Sequence, residues 1–196
     1  FKQYEQLGEQ RGEVGVAGTQ ALKVAKRIAA LKPAGGQFYG SIGTDLRKVL
    51  ALLKADLGLE VIQLQMGGYD THSNQTVSHQ RLLSQLGNNL NQFQAELDKA
   101  GLGKRVVTVV MSEFGRRAKE NLSGGTDHGS AGPVFVMGAG LQPGFHGKYP
   151  SLEDLDRDNF KYTTDFRRIY ASVLDHVFDM DPKPVVGDHK PLELFA

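Results

Sequence analysis

The sequence predicts an α/β fold, a three-layer α/β/α sandwich around a mostly parallel sheet, and three observations predict it. Two apolar runs, residues 61–66 and 105–111, read as strands, and a third follows at 133–137. Stretches with apolar residues at helical spacing alternate with them in the order α-α-β-α-β-β-α, which is that of a layered α/β sandwich. The first two runs end in polar clusters, Gly67-Gly68-Tyr69-Asp70-Thr71-His72 and Ser112-Glu113-Phe114-Gly115-Arg116-Arg117. An open parallel sheet binds its ligands beyond the carboxyl ends of its strands.

In chain order, residues 1–31 read as polar helical turns interrupted by glycines, then an Ala-rich amphipathic stretch over 21–29 that Lys32-Pro33-Ala34-Gly35-Gly36 ends. Thr44 is placed to cap a second helix whose Leu46, Val49, Leu50, Leu53 and Leu57 recur on one face. After Gly58 comes the first strand, and residues 76–100 form the longest helix, with Leu82, Leu83, Leu86, Leu90, Phe93 and Leu97 on one stripe. Between two parallel strands it would be a right-handed crossover. The 105–111 strand is apolar on both faces, as a central, covered strand is. Residues 141–162, rich in Gly, Pro and Asp, read as a long loop, and Thr163 or Thr164 would cap a last helix bearing Phe166, Ile169, Tyr170, Val173, Leu174 and Val177. No repeat or domain boundary interrupts residues 1–196, which read as a single domain.

The composition narrows the function. With 23 basic and 22 acidic residues there is no global field to attract nucleic acid or an anionic membrane. No apolar run approaches the roughly 18 residues of a membrane span. Cysteine is absent, which excludes disulfides, thiolate metal ligands and a cysteine nucleophile.

The chemistry then rests on carboxylates, imidazoles and guanidinium groups. Asp70 and His72, two apart after a glycine pair, can ligate a divalent metal, and so can Asp127-His128, flanked by glycines that let the backbone approach an ion or substrate. Glu113, at the end of a strand, is a further carboxylate ligand or else an ion-pair partner for Arg116 or Arg117. Those two arginines offer bidentate clamps for an oxyanion or are solvated charges. His146 is the one histidine outside these clusters retained as a distal ligand or acid/base; His79, His176 and His189 read as surface or cap residues.

Taken together, the Gly67–Gln75 run, Ser112-Glu113-Phe114-Gly115-Arg116-Arg117, Glu120-Asn121, Gly125-Thr126-Asp127-His128-Gly129 and Thr164-Asp165-Phe166-Arg167 resemble the domain-of-unknown-function-1501 family. These are bacterial, usually exported proteins, often with a twin-arginine signal, related to the alkaline phosphatase and sulfatase superfamily. The resemblance implies an alkaline-phosphatase-like sheet with a two-metal hydrolytic site and a periplasmic or exported location. It also implies that this chain is the C-terminal portion of a larger domain, whose N-terminal half, or another chain, completes the sheet. Asp70 and His72 would match one ligand pair of the superfamily, Glu113 would replace an Asp, Phe114 occupies the position of a ligating His, and His128 resembles the last His. Phenylalanine cannot ligate a metal, so Asp127 would have to fill that gap.

The expected activity is metal-dependent hydrolysis of phosphate or sulfate esters, on small-molecule or glycan substrates. Asp70, His72, Glu113, Asp127 and His128 would hold divalent ions (zinc, manganese, iron or calcium), and Arg116 and Arg117 would stabilise charge on the substrate. The nucleophile is unassigned: Thr71, Ser112, Thr126 and Ser130 are nearby in sequence, but a group from the N-terminal half outside this chain is the favoured source. Two alternatives stand: a non-catalytic exported binding or structural protein keeping a degenerate metal site, and a buried hydrogen-bond network without an ion.

Overall fold

The computed structural model describes residues 12–196; the expectation for residues 1–11 lies outside them. The chain divides into two compact units. One takes the chain up to Met66 together with Gln85–Ala100, the other Gly67–Ser84 with Gly101–Ala196.

The first unit is helical. Its helices are α1 (Gly12–Ala30), α2 (Gly40–Lys54) and the greater part of α3 (Gln75–Lys99). Of the face predicted for α2, Leu46, Val49 and Leu50 are buried, with Ile42 and Ala51 beside them, whereas Leu53 is half-buried and Leu57 lies past the helix end at Lys54. Of the stripe predicted for α3, Leu82, Phe93 and Leu97 are buried and Leu83 is exposed. Fully burying side chains of this size contributes roughly 1.5–3 kcal/mol each. Thr44 is not the cap. The helix starts a turn earlier, at Gly40, and Thr44 Oγ1 donates inside it to the Gly40 carbonyl (3.2 Å). The backbone at Tyr39 is capped from α3 instead: Asn89, fully buried, accepts from Tyr39 N (2.9 Å) and donates through Nδ2 to the Tyr39 carbonyl (2.9 Å) and the Gln85 carbonyl (2.8 Å). Gly43 makes room for this carboxamide, because a Cβ there would lie 2.8 Å from Asn89 Oδ1.

The second unit carries the strands, and they overturn the predicted sheet. Among the described residues the strands form three antiparallel pairs: β1 (Val107–Val110) with β4 (Phe135–Gly138), β2 (Gly115–Glu120) with β3 (Thr126–Gly129), and β5 (Leu155–Asp156) with β6 (Asn159–Phe160). The mostly parallel sheet and the three-layer, alkaline-phosphatase-like sandwich are therefore wrong. Parallel neighbours need a long crossover, usually a helix, and the chain between Val110 and Phe135 is spent on the β2–β3 hairpin instead. Residues 61–66, expected as the first strand, form no ladder, and Val61 is 75% exposed. Without that strand α3 is no crossover. β1 is half-buried along its length rather than covered on both faces.

Two further boundaries move. The expected loop over 141–162 contains the β5–β6 hairpin. The last long helix, α4 (Phe166–Phe178), is capped by Asp165, whose side chain accepts from Arg167 N (2.9 Å), and not by Thr163 or Thr164. Its buried residues are Ile169, Ala171 and Ser172, whereas Phe166, Tyr170 and Val177 of the predicted stripe are exposed. A short helix, α5 (Lys183–Val186), follows. Among the described residues no helix is long and apolar enough to cross a membrane.

Candidate metal centre

Two segments of the second unit build the site: the chain from Gly67 into the first turn of α3, and the β2–β3 hairpin. They lie backbone against backbone. Asn74 N donates to the Ser123 carbonyl (3.0 Å) and Gln75 N to the Gly124 carbonyl (2.9 Å). Gly125 is required by this contact, since a Cβ would stand 2.4 Å from the His72 carbonyl carbon and oxygen. Gly129 plays the same part inside the hairpin, where a Cβ would lie 2.5 Å from the main chain of Arg116. Gly125 and Gly129 thus serve the close approach of two backbones.

This docking brings three predicted ligands together. Nε2 of His72 and Nε2 of His128 lie 2.9 Å and 2.7 Å from the same oxygen, Oδ1 of Asp70. The donor atoms of Asp70, His72 and His128 all fall within 4.8 Å of one another. The hydrogen bond from His128, with the charges of His128 and His72, holds the Asp70 carboxyl below the usual carboxylate range. All three side chains face solvent, with 65%, 47% and 46% of their surface exposed. The polar network expected in the third alternative is present at these residues but is not a buried one.

Asp127 stands behind His72, its Oδ1 3.3 Å from Nδ1. Hydrogen bonds from Asn121 and then from His72, helped by the charge of Arg117, lower its pKa. Phe114, in the position the resemblance gives to a ligating histidine, stacks on His128 (centroids 3.8 Å apart, planes at 8°). The Arg116 guanidinium lies over the other ring of this pair, 5.1 Å from the Phe114 centroid.

The remaining predicted residues are placed differently. Arg116 is committed to main chain: Nη1 donates to the Thr126 carbonyl and Nη2 to the Tyr69 carbonyl, with Thr71 Oγ1 3.4 Å away. Arg117 is exposed on β2, next in sequence. Glu113 is exposed in the Ser112–Phe114 turn and is not a member of the three-residue donor group. His146 bonds the Gln142 carbonyl (2.9 Å), also outside that group. The neighbouring hydroxyls give their protons elsewhere: Thr71 to the Tyr69 carbonyl, Ser112 to the Phe114 carbonyl, Thr126 to Gln75 Oε1 and Ser130 to the Phe160 carbonyl.

Sequence reasoning placed no role on Asn121, which touches both segments. Its signal was the Asn-x-Ser-Gly-Gly stretch, a tight turn in which an Asn side chain bonds backbone two residues on.

No curated protein and no solved structure matches the chain. The profile of the family described as "Protein of unknown function (DUF1501)" matches residues 5–192, and the chain belongs to that family.

Proposed function

We propose that Asp70, His72 and His128 hold a divalent transition-metal ion and that the protein hydrolyses phosphate or sulfate esters there. One observation carries the reading: two imidazole nitrogens converge on one carboxylate oxygen from two separate segments of the chain. The donor set fits zinc, manganese or iron, all of which accept imidazole with carboxylate. Calcium fits poorly, because it takes oxygen ligands and two of the three donors here are nitrogens. Three protein ligands are also the number found in catalytic zinc sites, where a fourth position stays open to water or substrate.

When bound, the ion would supply Lewis-acid polarisation of an ester oxygen. The chain's residues do the rest by position. Asp127 accepts from His72 Nδ1 and so leaves Nε2 as the ligating atom. Phe114 fixes the plane of His128. Arg116 is occupied in joining the Tyr69 and Thr126 backbones, so Arg117 is the guanidinium left to meet a substrate oxyanion. The four nearby hydroxyls donate to carbonyl and carboxamide oxygens rather than to an imidazole, which favours water as the attacking oxygen.

Zinc and manganese titration of wild type beside Asp70→Ala tests the ion. Near-stoichiometric binding, abolished in the variant, is expected; a wild type that retains neither metal sinks the reading. Turnover of aryl phosphate and aryl sulfate by the loaded protein tests the reaction. The exposure of all three ligands favours a second reading, a non-catalytic metal-binding protein, since hydrolytic sites usually exclude bulk water. Stoichiometric metal with no turnover of either ester would select it.

A further inference from the structure

We propose that Asn121 is a positioning residue, whose carboxamide aims Asp127 and the His72 main chain so that the His72 ring presents Nε2 to Asp70. Four hydrogen bonds use everything an amide side chain offers. Oδ1 accepts from Ser123 N (2.9 Å) and Gly125 N (3.1 Å); Nδ2 donates to the His72 carbonyl (2.9 Å) and to Asp127 Oδ1 (3.3 Å). Its own main chain closes the same turn, with Asn121 N donating to the Gly125 carbonyl (2.8 Å).

The two ends of the side chain do separate work. The oxygen shapes the hairpin turn, and the nitrogen crosses to the His72 segment. Asp127 and the His72 backbone are the two points that fix the imidazole: one sets where the ring begins, the other which way it turns. A single NH2 group bonds both, so the ring's two constraints move together. Partners that orient a ligating histidine in this manner typically govern metal affinity by about 10–100-fold.

Asn121→Asp separates the two roles. It keeps an acceptor for Ser123 N and Gly125 N but sets oxygen against two other acceptors, the His72 carbonyl and Asp127. Asn121→Ser keeps a hydroxyl acceptor for the turn, adds no charge and is too short to bridge to Asp127. Two measurements on the full chain test the inference, and the inference rests on the metal-centre reading only for the second. In metal-free protein at fixed pH, long-range proton–nitrogen spectra should show the His72 ring nitrogens shifted in both variants, with those of His146 unmoved. In the presence of zinc or manganese, competition with a chromogenic chelator should show affinity roughly 10–100-fold weaker in both. His72 signals identical to wild type in both variants would overturn the inference. So would wild-type affinity in both variants. A wild type that binds no metal, with His72 shifted in both variants, would refute the metal centre and leave the Asn121 assignment standing. Circular dichroism checks that each variant folds, and the conclusion is drawn from whichever retains the wild-type spectrum.

Discussion

Two asparagines, one in each unit, use the same side chain for different ends. Asn89 is fully buried, and all three of its hydrogen bonds go to main chain at Tyr39 and Gln85. Asn121 makes three of its four to main chain, but the last goes to the carboxylate of Asp127, beside residues that are about half exposed. Removing a partner in a dry interior leaves a donor or acceptor with nothing to bond. Near solvent, water replaces it. The polar network of the helical unit therefore serves stability, and that of the second unit orients the side chains of the proposed metal centre. Burial, and not residue type, separates the two.

That contrast is broken most forcefully in the helical core. Leu97→Ala, at a fully buried position, should cost about 2–5 kcal/mol in denaturant unfolding, the range for a leucine cavity. The proposed metal ligands should behave differently, with Asp70→Ala losing metal while its metal-free unfolding midpoint shifts far less than that of Leu97→Ala. Asn89→Leu sharpens the comparison. It keeps volume but strands the Tyr39 N–H and carbonyl at the start of α2, at about 1–3 kcal/mol for a buried unsatisfied group. An unfolding midpoint equal to wild type would show that the buried carboxamide is dispensable and that the distinction drawn from burial fails.

The smallest effect is expected at Asp165, the partly buried cap of α4. Arg167 grips its carboxylate with Nε on Oδ1 (2.9 Å) and Nη2 on Oδ2 (2.6 Å), and these bonds push its pKa well below the ordinary carboxylate value. A depressed pKa contributes stability that is present above the unfolded value of about 3.9 and is lost as pH falls through the folded one. Asp165→Asn should therefore be slightly less stable than wild type near neutrality. The gap between their melting temperatures should close as pH drops below about 4. A gap that stays constant from pH 7 to 2 would mean that the Arg167 pair contributes nothing.

The helices were legible because apolar residues at helical spacing favour a helix, although which of them are buried was legible only in part, since Leu83 of α3 and Phe166, Tyr170 and Val177 of α4 are exposed. α2 and α3 bury Leu46, Val49, Leu50, Phe93 and Leu97 much as their spacing requires. The strands were not. A run such as residues 107–110 shows that a strand forms but carries no mark of its neighbour, and the neighbour decides between parallel and antiparallel. Residues 61–66 carry a similar apolar signal and join no strand ladder among the described residues. The site was legible in part: Asp70, His72 and His128 meet, with Asp127 one bond behind, while Glu113 lies outside the donor group.

Local chemistry alone determined which groups this chain could offer an ion: imidazoles and carboxylates on glycine-flanked loops, and no thiolate. It also determined the amphipathic faces, because side-chain identity and spacing are written in the chain itself. Only the tertiary structure decided that Asp70, His72 and His128 meet where the Gly67–Gln75 segment docks on the β2–β3 hairpin, that Arg116 bonds carbonyls, and that Asn121 joins those two segments of the second unit. Each of these depends on residues some 45 to 60 positions apart, as the separations of 47 between Arg116 and Tyr69, 49 between Asn121 and His72 and 58 between His128 and Asp70 show. Contacts over such separations are set by how backbones dock, and docking is settled by packing of the whole unit rather than by any one stretch.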